Sequence, residues 1–224
     1  PSEEGAFSGE LPDDVAEVLM SKDAVAIGPG IGRTQGAWDL VRKIVELGPD
    51  KLIIDADALW FLAKEPELAL DFRGDLIMTP HGGELERLLT SPSSDARIVR
   101  ARECAATYGA CVAFKGPGTV VAEPSGRFRI VHAGNSLMAT PGSGDVLTGL
   151  AAAYAARIED PFDALSAAAY VHSLAGDIAA KGGVASILAG DIADNLPGAA
   201  SLACSGKQAP KTRKTGYFEI TRAV

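Results

Sequence analysis

Four short apolar runs, each closed by a loop bearing glycine, proline or aspartate and then followed by a helical pattern, constrain this fold most strongly. Ala24-Val-Ala-Ile27 runs into Gly28-Pro-Gly-Ile-Gly32, and Lys51-Leu-Ile-Ile-Asp55 into Ala56-Asp57. Leu76-Ile-Met78 runs into Thr79-Pro-His-Gly-Gly83, and Cys111-Val-Ala-Phe114 into Lys115-Gly-Pro-Gly-Thr119. Between them, apolar residues recur near helical spacing: Trp38, Val41, Ile44, Val45 and Leu47 in one segment, others from about Ala58, from Glu84, and across Ala96 to Tyr108. Strands that alternate with helices at this spacing predict βαβ units, hence an α/β fold with a mostly parallel central sheet and helices on both faces. In such sheets ligands bind beyond the carboxyl ends of the strands, and that is where all four loops fall.

The rest of the chain fits one domain over residues 1–224. Residues 1–10 read as irregular, and Val15 to Met20 as a short helix. Thr119 to Ala122 and Phe128 to His132 flank Pro124-Ser-Gly126 and predict a hairpin. Alanine-rich helices are expected over Val146 to Arg157, Phe162 to Lys181 and Ala185 to Leu196. Residues 204–224, with Lys207, Lys211, Arg213 and Lys214, read as a basic, weakly structured tail.

A net charge of −8 argues against a nucleic-acid backbone or an anionic membrane as the main partner. Small anions remain accessible to local amides and a few cations. The three cysteines, Cys104, Cys111 and Cys204, lack metal or disulfide spacing, which fits a reducing compartment. With neither a long apolar span nor a signal pattern in the sequence, the cytoplasm is the expected location.

The densest chemical signal is Gly134 to Gly149, where a Gly/Pro loop passes into an apolar helical run with Asp145 at the junction. Gly142, Ser143 and Gly144 can turn main-chain N–H groups toward an anion, and the helix start adds its own unpaired donors. Asp145 is then either a helix cap or a base held beside a bound phosphate. The other loops each carry two readings. Gly28 to Gly32 is a structural turn or a ligand loop. Asp55 and Asp57 position magnesium or a substrate hydroxyl, or Asp57 caps the next helix. His81, beside Gly82 and Gly83 and three residues before Glu84, meets a ligand or stays structural. Lys115 faces a nucleotide phosphate or solvent, and the chain has no GxxxxGK[ST] loop. His132 and His172 read as packing or surface residues.

Taken in order, Gly28-Pro-Gly-Ile-Gly32, Asp55-Ala-Asp-Ala-Leu59, Thr79-Pro-His-Gly-Gly-Glu84, Lys115-Gly-Pro-Gly-Thr119 and Gly134-Asn135 through Gly142-Ser-Gly-Asp-Val-Leu-Thr-Gly149 resemble the ADP/ATP-dependent NAD(P)H-hydrate dehydratases of the ribokinase-like superfamily. The resemblance runs from about Asp23 to Pro197. It implies a ribokinase-like fold and repair of hydrated NADH or NADPH: the C6 hydroxyl is phosphorylated, phosphate leaves, and the ring double bond returns. It implies ADP or ATP with Mg²⁺ as co-reactants, a homo-oligomer with the tetramer as one form, and an epimerase partner, fused or separate.

By position, Asp145 is implied as the base. Lys115, Gly116, Gly118, Thr119, Asn135, Met138, Ala139, Thr140, Gly142, Ser143 and Gly144 are implied at the nucleotide, and Gly30, Gly32, His81 and Asp145 at the hydrated dinucleotide. No metal ligand is implied. The chain departs from the pattern at Leu137 and Pro141, where glycine is usual, and at Gly82, where proline is usual. Family members also carry a strand, loop and helix before this point, so a truncated chain or a short sheet is expected. The competing readings are a vitamin-alcohol kinase of the same superfamily and a nucleotide-binding module without catalysis.

Overall fold

The computed structural model describes residues 7–205 and the backbone of 217–219. The irregular stretch expected over 1–10 and the weak tail expected over 204–224 lie largely outside the described residues; within them, 7–12 lack regular structure and Tyr217–Glu219 forms a strand. The elements run α1 (Asp13–Met20), β1 (Val25–Ile27), α2 (Gln35–Leu47), β2 (Lys51–Ile54), α3 (Ala56–Lys64), α4 (Glu67–Leu70), β3 (Asp75–Met78), α5 (Gly82–Leu88), α6 (Arg97–Tyr108) and β4 (Cys111–Phe114). The hairpin β5 (Thr119–Ala122) and β6 (Phe128–Val131) follows, then α7 (Ser143–Ala155), α8 (Pro161–Ala179), α9 (Ala189–Cys204) and β7 (Tyr217–Glu219).

The strands lie side by side in chain order. β1 to β4 pair in parallel, whereas β5, β6 and β7 add antiparallel neighbours, so five of the seven strands share one direction. Side chains alternate across a strand, and the two faces sort accordingly. Leu52, Ile54, Met78, Val112 and Phe114 join the core under α2, α3, α5 and α6. Ile53, Ile77, Cys111, Ala113 and Val121 join the core under α7 and α8. Burial on both faces explains the unbroken apolar runs of β2, β3 and β4, while the edge strand β1 leaves Ala26 exposed.

α9 begins four residues later than expected and runs on through Pro197. Its start is set at Ala189 because Asp191 Oδ2 accepts from the N–H of the cap residue Leu188 at 2.8 Å. Beyond Pro197, Ala199, Ala200, Leu202 and Ala203 pack in the cluster shared with α8, and that burial offsets the lost backbone bond.

Candidate active site

The loops after β1, β2, β3 and β4 meet the start of α7 along one sheet edge. At its centre is Asp55, just past β2 and only 1% exposed. Its Oδ1 accepts from Lys115 Nζ at 2.8 Å, and its Oδ2 accepts from the Thr148 hydroxyl on α7 at 2.6 Å. A Cβ built on Gly144 would stand 3.3 Å from Lys115 Nζ. The Lys115 ammonium therefore lies against the first turn of α7. Asp55 does not present a free carboxylate, as the magnesium or hydroxyl reading needs, because both its oxygens are engaged by protein.

Gly142, with φ of 84°, precedes α7 as its N-cap, and Asp145 stands in the first turn. Asp145 is exposed and accepts no side-chain or backbone bond among the described residues. Of the amides assigned to the anion, that of Ser143 is taken by the Thr140 carbonyl at 3.2 Å. The amides of Gly142 and Gly144 have no such acceptor among the described residues. The first-turn donors and the positive helix end thus lie beside the Lys115 ammonium, with Asp145 in the same turn.

The Ser143 carbonyl is held from behind. His172, on α8 and 7% exposed, donates from Nε2 to it at 2.9 Å. The sequence reads this histidine as packing or surface; in the fold it is packed, and its ring braces the start of α7. Burial, with the Lys115 charge adding to it, pushes its pKa down to about 4 from the ordinary 6.5, against the Ser143 carbonyl, which favours the charged ring. The ring is neutral in the folded protein near neutral pH but binds a proton in the unfolded chain below about 6.5. Stability is accordingly lost as pH falls from about 6.5 toward about 4. Between about pH 7.5 and about pH 4.5 this group accounts for about 2 kcal/mol of the loss. Urea unfolding of wild type and His172→Asn at both pH values measures it: the pH-dependent loss should be smaller in the variant, and equal losses would refute the assignment.

The segment from Gly134 to Thr140 is anchored to the end of α8. Gly134 donates its N–H to Asp177 Oδ2 at 2.9 Å. Asn135 Nδ2 donates to the Gly176 carbonyl and to Asp177 Oδ1, both at 3.0 Å, and its Oδ1 accepts from the Leu137 N–H at 3.0 Å. The Asn135 amide, expected at the nucleotide, is spent on holding this loop. The Met138 side chain packs down on Gly176, where a Cβ would meet its sulfur at 2.2 Å. Ala139 stays exposed, and Thr140 contributes its carbonyl to Ser143. Asp177 stands outside the sequence motifs; its signal is Gly176, a glycine inside an alanine-rich helix next to an acid.

On the other flank, His81 caps α5: its Nδ1 accepts from the Gly83 N–H at 3.1 Å, and Glu84 Oε2 accepts from the His81 N–H at 2.8 Å. An Nδ1 acceptor leaves the proton of the neutral ring on Nε2, which faces Glu84 Oε1 at 3.3 Å. Glu84 Oε2 in turn lies 3.8 Å from Lys115 Nζ, so the His81 loop and the α7 start are joined through Lys115. Gly32 donates its N–H to Asp57 Oδ2 at 3.1 Å, and Arg33 Nε donates to Asp57 Oδ1 at 2.8 Å. Asp57 therefore ties the Gly28–Gly32 loop to α3, which it enters past the cap position held by Asp55. Gly30 is exposed with open space around it. In the Lys115 loop, Gly116 has φ of 144° and takes the Arg97 guanidinium against it, Gly118 has φ of 66°, and the Thr119 hydroxyl donates to the Gly116 carbonyl at 3.4 Å.

A family model described as NAD(P)H-hydrate dehydratase matches residues 5–198. Among curated proteins, a bifunctional NAD(P)H-hydrate repair enzyme of Moorella thermoacetica is 39% identical over 197 residues, covering 86% of this chain and 37% of that protein. The chain thus spans little more than a third of this relative. Among solved structures, an ADP/ATP-dependent NAD(P)H-hydrate dehydratase from Bacillus subtilis, co-crystallised with ATP/Mg²⁺ and soaked with CoA, is 30% identical with a TM-score of 0.70, covering 83% of this chain and 70% of that one. A ribokinase-like superfamily protein from Enterococcus faecalis superposes with a TM-score of 0.75 at 26% identity, covering 84% of this chain and 66% of that one. The sheet edge described above is thus that of a ribokinase-like fold, and the chain belongs to the NAD(P)H-hydrate dehydratase family.

Proposed function

We propose that this chain dehydrates hydrated NADH and NADPH at the expense of ADP or ATP. The observation that carries the reading is the pairing of an exposed, unbonded Asp145 with open α7 amides and the Lys115 ammonium. Asp145 takes the proton of the C6 hydroxyl, whose oxygen attacks the terminal phosphoryl group and displaces AMP from ADP or ADP from ATP. Gly142 and Gly144 amides and Lys115 offset the charge on the transferring group, where positioning and electrostatics supply most of the acceleration. The C6–O bond then breaks with its electron pair leaving on phosphate, C5 gives up a proton, and the C5–H pair forms the C5–C6 double bond. Ser143, Asn135 and Met138 act in this reading by shaping the loop.

Magnesium enters with the nucleotide. No three His, Cys, Asp or Glu side chains converge on a metal position among the described residues, and phosphate oxygens and water suit its octahedral demand. Lys115, Gly116, Gly118 and Thr119 then line the nucleotide side, and Gly30, Gly32 and His81 the dinucleotide side. A homo-oligomer and an epimerase partner, fused or separate, belong to the same reading; the bifunctional name and greater length of the Moorella relative support the second.

The test is incubation of the protein with hydrated NADH, ADP or ATP, and magnesium. The reduced-nicotinamide absorbance should return in step with phosphate release. Nucleotide cleavage on another alcohol without that return would instead identify a kinase, and nucleotide binding without turnover a non-catalytic module.

A further inference from the structure

We infer that Asp55 and Thr148 form a buried clamp that aims Lys115 at the nucleotide's terminal phosphates, making both positioning residues for the α7 phosphate site. This inference rests on the nucleotide reading of that site. At 1% exposure, Asp55 cannot itself meet a ligand. Thr148, also buried at 3%, donates its hydroxyl to Asp55 Oδ2 at 2.6 Å and lies 3.1 Å from the Gly144 carbonyl in the turn before it. The carboxylate is thereby fixed to α7, and its other oxygen accepts from Lys115 Nζ at 2.8 Å.

An ammonium has three donors. One is spent on Asp55, and Glu84 Oε2 at 3.8 Å is too far to accept a second. The remaining donors lie beside Gly144. That residue is helical and needs no positive φ, so its backbone does not explain the glycine. The explanation is space: a Cβ there would stand 3.3 Å from Lys115 Nζ and 3.8 Å from Asp55 Oδ2. A flexible lysine stem would otherwise sample many rotamers, and the clamp removes that freedom before the phosphate arrives.

The experiment is a cycle of variants of the full chain, read by calorimetric titration with ADP and magnesium and by turnover of hydrated NADH. Thr148→Val keeps the shape and deletes the donor. It should weaken ADP binding about tenfold, while Thr148→Ser, which keeps the hydroxyl, stays within about twofold. Asp55→Asn should weaken it further. The decisive arm places Thr148→Val in a Lys115→Met background, where the added loss should be under about twofold because the hydroxyl acts through the ammonium. A full tenfold loss in that background, an unaffected Thr148→Val protein, or a wild type that does not bind ADP would each overturn the clamp. A wild type that binds ADP and shows the cycle but leaves hydrated NADH untouched would overturn the dehydratase reading alone.

Discussion

Asp145→Asn should lower turnover of hydrated NADH about 1,000-fold while ADP affinity stays within about threefold. Loss of a positioned general base costs about 10²- to 10⁴-fold. Asn matches the carboxylate in shape but cannot accept the hydroxyl proton. Asp145 is exposed in the first turn of α7 and bonds no protein group, so the substitution disturbs no hydrogen bond that holds the loop. Its charge also repels a nucleotide phosphate, so removing it does not weaken nucleotide binding through electrostatics. The measurement is steady-state kinetics beside calorimetric titration, with thermal unfolding as the folding control. Turnover within tenfold of wild type would remove Asp145 from the chemistry. An equal loss of affinity would make it a binding residue instead.

Much of this arrangement is legible in one dimension because the punctuation is chemical. Gly28, Gly116 and Gly142 each take the positive φ that their loops require, and β2, β3 and β4 read as unbroken apolar runs since both sheet faces are covered there. The start of α7 is legible for the same reason: a glycine N-cap followed by an acid in the first turn leaves a local signature.

What is not legible is the pairing between loops. Asp55 meets Lys115 across 60 positions and Thr148 across 93, and the parallel register and the packing of α7 on β2 create both meetings. In sequence, Asp55 and Asp57 read either as a pair positioning magnesium or a hydroxyl, or with Asp57 as the helix cap, a position the fold gives to Asp55. The chain turns between them at Ala56, whose φ is 49°, and sends one inward to Lys115 and the other outward to the Gly32 amide and Arg33. Such a φ is strained for a side chain bearing a Cβ, and it is what separates the two carboxylates. His172 and Asp177 were illegible for a related reason. Each braces a main-chain group, the Ser143 carbonyl and the Gly134 amide, with Asn135 Nδ2 a further donor to Asp177, and sequence does not mark which main-chain groups need a brace.

The largest expected effect on stability is at Gly28, and its comparison with Gly30 separates two causes. Gly28→Ala would place a Cβ 1.8 Å from the Asp55 carbonyl oxygen and 2.7 Å from its carbon, at a φ of 138°. Those are main-chain atoms of the strand end, held in turn by the Asp55 N–H donating to the Ile27 carbonyl at 3.1 Å, so no side-chain rotation relieves the collision. The strained φ costs about 1–3 kcal/mol and the overpacking a further 1–3 kcal/mol. A loss of about 4 kcal/mol is a large fraction of the roughly 5–15 kcal/mol that holds a domain together. At about 2–4 °C per kcal/mol, the expected fall in Tm is about 10 °C. Gly30→Ala has a comparable φ sign, 71°, but nothing within 4 Å of the added carbon, so it carries the conformational cost alone, about 1–2 kcal/mol. Thermal unfolding of both variants reads the difference. Matching falls in Tm would show that backbone sign, and not the approach of β1 to β2, is what the glycine serves. Because Asp55 is the atom group displaced, Gly28→Ala should also misplace Lys115 and weaken ADP binding, whereas Gly30→Ala should leave ADP binding unchanged.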